Sequence, residues 1–145
     1  AETEGNTPGG LTQITANEVN IVGTDPDINL PSSIWSGVLF DATEDGGDVL
    51  IETGSLLLEG GGQINVNTFG LGNAGQLTVR AQDIKVIGES ESGDFFSGLF
   101  AQPDIFTGKG ANILIETDSL LVADGDIVDA TTFGDGDAGN LNVKD

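Results

Sequence analysis

The 145-residue chain contains no cysteine, histidine, methionine or tyrosine, one tryptophan, and four basic residues against twenty-four acidic ones. Each shortage closes off some chemistry. Without cysteine there are no disulfide staples and no thiolate metal sites. Without histidine or cysteine the commonest general base and the thiol nucleophile are missing. Arg80, Lys85, Lys109 and Lys144 are the whole cationic inventory, and the formal net charge is −20. Nucleic acid, whose phosphates must be neutralised by Lys and Arg, is excluded as a partner. Anionic membrane surfaces are disfavoured for the same reason. No run reaches the roughly 18 apolar residues of a membrane span. Ala1–Gly10 (AETEGNTPGG) reads as no secretion signal, so any export signal is expected upstream.

What is present is repetition. Asp48–Phe69 (DVLIETGSLLLEGGGQINVNTF) returns without a gap, 64 residues later, as Asn112–Phe133 (NILIETDSLLVADGDIVDATTF). The match continues from Gly70–Val79 (GLGNAGQLTV) to Gly134–Val143 (GDGDAGNLNV). Each unit divides again, since Gln76–Gly88 (QLTVRAQDIKVIG) follows the apolar rhythm of Asp48–Gly60 at a spacing of 28, and the next return takes 36. The chain is thus one repeat-built segment, 1–145, with a partial first repeat at 11–47, a full repeat at 48–111 and a partial one at 112–145. Glycine-punctuated bursts of alternating Val, Ile and Leu, with no apolar spacing of helical period, predict an all-β fold.

Period-two alternation assigns the inward side chains. One face carries Val49/Ile51/Thr53, Leu77/Val79/Ala81 and Ile113/Ile115/Thr117, with Leu11 opening the first rung and Leu141/Val143 beginning another. A second carries Val19/Ile21, Leu56/Leu58, Ile84/Val86 and Leu120/Val122; a third carries Ile64/Val66 and Val128/Ala130, with Ser36–Phe40 and Ser97–Ala101 at the equivalent places. An extra residue near Gln13–Ile14 predicts a bulge. The expected architecture is a parallel β-solenoid of three faces and about four rungs. In this register Glu52, Arg80 and Glu116 share one outward column, Asn20, Leu57, Lys85 and Leu121 a second, and Leu50, Thr78, Leu114 and Asn142 a third. The outward leucines either lie under a loop or mark lateral association.

Two insertions, Thr24–Trp35 and Glu89–Phe96, leave at the same point of the pattern and are expected along one edge. Each starts acidic and ends in a hydrophobic pair, so Trp35, Phe95 and Phe96 form a candidate binding edge or fold back as cover. The acidic Gly turns place Asp124 and Asp126 in one corner and Asp135 and Asp137 in another, oxygen-rich positions of the kind that suit calcium. The plain alternative is solvated turn residues tolerating positive φ. With no histidine or cysteine and the single arginine placed in a ladder of acids, the chain is expected not to be an enzyme. Thr68, Thr131 and Thr132 make no flat threonine array of the ice-binding kind.

The stretch GGDVLIETGSLLLEGGGQINVNTFGLGNAGQLTVRA, with SGLFAQ and its second copy, resembles the long repeats of filamentous-haemagglutinin-like exoproteins of two-partner secretion, including S-layer-like surface proteins. The resemblance covers Leu11–Asp145 and implies a right-handed parallel β-helix. It also implies export through an outer-membrane secretion partner and a secreted, extracellular or cell-surface location. The function it implies is a structural shaft or filament segment of an adhesin, with end-to-end self-association and a surface glycan or cell receptor as possible partners. A calcium- or polysaccharide-binding module is the alternative.

Overall fold

The computed structural model describes residues 2–3, 7–102, 108–133 and 135–145. The described residues form strands and turns: β1 (Glu2–Thr3), β2 (Thr12–Val22), β3 (Thr24–Asp25), β4 (Leu30–Pro31), β5 (Ser33–Val38), β6 (Val49–Glu59), β7 (Gln63–Thr68), β8 (Leu77–Ile87), β9 (Gly98–Phe100), β10 (Ile113–Ala123), β11 (Ile127–Asp129) and β12 (Leu141–Lys144). The chain alternates between two five-stranded sheets, a long-strand sheet ordered β12-β10-β8-β6-β2 and a short-strand sheet ordered β1-β5-β7-β9-β11. All pairings within both are parallel. The antiparallel β3–β4 pair belongs to the first insertion.

One core serves both sheets. Val49, Ile51, Leu56, Leu58, Leu77, Val79, Ile84, Val86, Ile113 and Ile115 of the long strands cluster with Ile64, Val66 and Leu99 of the short ones. Each fully buried aliphatic contributes about 1.5–3 kcal/mol relative to an exposed one. The outward columns fall into register as expected. Glu52 and Glu116 both pair with Arg80, Leu57 and Leu121 both flank Lys85, and Leu50, Thr78, Leu114 and Asn142 follow one another. Arg80 Nε donates to Glu116 Oε2 at 2.6 Å and Nη1 to Glu52 Oε1 at 3.3 Å. Leu57 is half-buried while Leu121 is 47% exposed.

The expected three-faced, right-handed β-helix of about four rungs is corrected: the described residues form two plain parallel sheets and no closed three-sided coil. The reason lies in a parity switch. Along β6 the buried positions are Val49 and Ile51, then Leu56 and Leu58; odd positions give way to even ones. In sequence that slip reads as two strands on two faces. In the fold it is a bend inside one 11-residue strand, and the ladder passes through it, interrupted only where Asn17, Gly54, Gln82 and Asp118 stand. Threonine hydroxyls bridge the bend, Thr53 Oγ1 donating to Ser55 O at 3.0 Å and Thr117 Oγ1 to Ser119 O at 2.9 Å.

Three smaller corrections follow from the same pairings. β2 pairs with β6 in continuous register from Thr12↔Val49 to Ala16↔Thr53, so there is no bulge at Gln13–Ile14; the extra residue lies in the β5–β6 connection. Leu11 precedes the ladder and is 62% exposed. In the short-strand sheet Ile34, Ile64, Leu99 and Val128 align, so Ser33 rather than Gly37 matches Gly98, and the two Ser-Gly dipeptides are not equivalent.

Candidate functional site

The corner between β10 and β11 holds the first acidic pair. Asp124 (φ 61°) and Gly125 (φ 88°) are consecutive left-handed residues, closed by a hydrogen bond from Asp126 N–H to Ala123 O at 3.3 Å. This is the geometry of a tight primed turn, which accepts Asp or Gly. Gly60 (φ 60°) and Gly61 (φ 93°) build the matching corner one repeat earlier, so Asp124 stands where that copy has glycine. Asp126 turns inward. Its Oδ1 accepts the Ser97 N–H at 3.1 Å, and its Oδ2 is buried without a hydrogen-bond partner among the described residues. Desolvation raises its pKa above the usual carboxylate value, the backbone of Ser97 and Gly88 opposes the rise, and the charges of Asp124 and Glu89 add to it.

The second acidic turn leads into β12. Asp135 and Asp137 are exposed there, and Asp137 Oδ2 lies 3.5 Å from Lys109 Nζ; the first residue of the turn, Gly134, lies outside the described residues. Asp137 ends a column of turn residues, in which Asp45 Oδ1 accepts from Asn73 N–H at 3.0 Å and Asn73 Oδ1 accepts from Lys109 N–H at 3.1 Å. Asp48 and Asn112 cap Gln76 and Asn140 in the same way, at 2.7 and 2.9 Å. These carboxylates and amides tie each turn to the next. Among the described residues no group of three or more His, Cys, Asp or Glu side chains converges on a common point, whereas calcium takes six to eight oxygens.

The two insertions meet along one edge. Asn29 Nδ2 donates to Asp94 Oδ2 at 2.9 Å, Ser92 Oγ to Asn29 Oδ1 at 3.4 Å, and the pKa of Asp94 is lowered by its bonds from Asn29 and Ser92. Both loops close over Gly61, where a Cβ would touch Ser90, Thr24 and Phe95. Phe95 is thereby half-buried as cover, while Phe96 stays 40% exposed. Trp35 is not part of this edge cluster. It sits on β5, and its ring lies across Gly37, where a Cβ would meet Trp35 Cζ2 at 2.5 Å. An open groove of about 320 Å³ on the long-strand sheet, lined by Glu18, Asn20, Ser55, Leu56, Leu57, Asp83 and Lys85, has a mixed solvated lining.

Sequence reasoning singled out Trp35 but missed its partner Phe100. That residue's ring covers Gly98 on β9 as Trp35 covers Gly37 on β5. An aromatic two positions from a glycine on an alternating strand was the legible signal, since the glycine leaves room for the ring to lie down. No protein-family model, no curated protein and no solved structure matches the chain.

Proposed function

We propose that this chain is a structural segment of a secreted cell-surface adhesin or extracellular fibre protein, extended by strand pairing at the ends of its sheets. The observation that carries this reading is the edge of β10. β12 pairs only with Ile113–Glu116, leaving Ser119–Ala123 bonded on the β8 side alone among the described residues. Leu121 and Val122 on that edge are 47% and 39% exposed. A parallel edge bearing aliphatics is a template for another strand, whether from the next repeat of a longer chain or from a second copy. The charge of −20 opposes side-by-side clumping and favours association at the edges, where backbone groups are unpaired. Export through an outer-membrane partner, a cell-surface location and a receptor on another cell belong to this reading through the resemblance of the repeats to haemagglutinin-like exoproteins.

Electron microscopy and sedimentation of the purified chain, with and without a calcium chelator, test it. Uniform fibres that ignore the chelator are expected, and Leu121→Lys is expected to shorten them by placing a charge on the edge. A single small monodisperse species at all concentrations would overturn self-association. Fibres that dissolve on chelation would transfer the role to the acidic turns.

A further inference from the structure

The outward surface of the short-strand sheet gathers aromatic and amide side chains. Its rows read Ser33, Trp35, Gly37 on β5; Gln63, Asn65, Asn67 on β7; Gly98, Phe100 on β9, followed by Gln102; and Ile127, Asp129 on β11. Asp129 is the only ionisable residue in these four rows, and Glu2 of the flanking β1 is in register with Gly37. Gly37 and Gly98 face outward yet are buried, because the Trp35 and Phe100 rings lie over them. Both aromatic residues are part-exposed.

Trp35 pairs with Asn65 and Asn65 with Phe100, so the two residues start two strands apart, on the order of 10 Å at the usual strand spacing. The rings stand farther apart than that, because Trp35 leans along its strand towards Gly37 and Phe100 the opposite way towards Gly98. Amides fill the space between them. Asn65 Nδ2 donates to Gln63 Oε1 at 3.1 Å, Asn67 Oδ1 accepts the Gln102 N–H at 3.1 Å, and Gln102 Nε2 donates to Asp129 Oδ2 at 2.7 Å. These bonds hold the amides in place, and each amide has two donor hydrogens and two acceptor lone pairs, so capacity remains on every one.

The geometry points to a glycan-binding platform: Trp35 and Phe100 stack on two sugar rings of a neutral polysaccharide lying across the strands, with Asn65, Asn67 and Gln102 bonding its hydroxyl groups. The C–H face of a pyranose is a weakly positive apolar surface that matches the negative face of an aromatic ring. The rings lie on a diagonal longer than a disaccharide, so an extended chain running along it meets them with two sugars more than one disaccharide repeat apart. Acidic glycans are disfavoured by the net charge. A neutral one loses nothing to it.

Trp35 is the only tryptophan, which makes its emission a direct reporter. The purified chain is titrated with cellohexaose, laminarihexaose, xylohexaose and mannohexaose, with polygalacturonate as the acidic comparison, following fluorescence and calorimetry. Saturable binding of at least one neutral hexamer with a shift of Trp35 emission is expected. Phe100→Ala should weaken it by about tenfold, and so should Asn65→Leu, which leaves both rings in place; circular dichroism checks that each variant keeps its strands. Absence of heat and emission change across the neutral panel would overturn the platform. So would equal affinity for polygalacturonate, or binding that survives in the folded Asn65→Leu and Phe100→Ala variants. None of these readouts depends on fibre formation, so the platform and the filament reading fail separately.

Discussion

At the β10–β11 corner, Asp126 is half-buried, with one carboxylate oxygen bonded to Ser97 N–H and the other buried. Its raised pKa means that the folded chain holds this proton more tightly than the unfolded chain does. The ionised form therefore costs stability once pH rises through the unfolded carboxylate range, and protonation removes that cost as pH falls below the raised value. Asp126→Asn is expected to raise the melting temperature at neutral pH and to make no difference at acid pH, as thermal unfolding across a pH series would show. Asp94 runs the other way. Its lowered pKa comes from Asn29 and Ser92, so the tie between the insertions is intact above the unfolded value and lost as pH falls through the folded one.

The strands themselves depend on backbone closeness at the turns. A Cβ on Gly75 would collide with Gly47 O, one on Gly47 with Gly10 O, and one on Gly139 with Ala111 O. The obstacle in each case is a carbonyl of the neighbouring turn, which cannot swing aside as a side chain would. Gly75→Ala is expected to destabilise the fold by about 1–3 kcal/mol, the usual range for forced overpacking, measured by denaturant unfolding. These glycines were visible in the repeats, and so were the inward aliphatics of β6, β8 and β10, because period two and a buried side chain are the same fact seen twice. The continuity of those strands was not visible. A one-residue parity slip at Gly54–Ser55 looks the same in sequence whether the chain turns a corner or bends within a ladder, and only the pairing of Thr53 with Ala81 and Ser55 with Asp83 on either side decides it.

At the scale of the molecule, stability is graded from the middle outward. β6 and β8 have a full-length neighbour on each side, whereas β12 covers only four residues of β10, and Leu141 and Val143 remain 43% and 51% exposed. Local opening is easiest where few apolar contacts are buried. Hydrogen exchange is expected to find the amides of β6 and β8 the slowest and those of β11 and β12 the fastest. Uniform protection across all strands would show instead that the ends are covered in solution, as the filament reading requires at assembling concentrations.

By itself the sequence determined the repeat lengths, the all-β parallel character, the inward and outward side of the long strands and the Glu52–Arg80–Glu116 ladder. Each of these follows from local alternation and a fixed spacing. Tertiary structure alone decided that the repeats stack as two sheets, not three faces. It placed Asp124 in a left-handed corner and Asp126 against Ser97, without gathering a set of metal ligands among the described residues. It also brought Trp35 and Phe100, 65 residues apart in the chain, onto one surface. Those outcomes depend on which strands become neighbours and on where a bend lets the ladder continue, and neither is written in the pattern of any single strand.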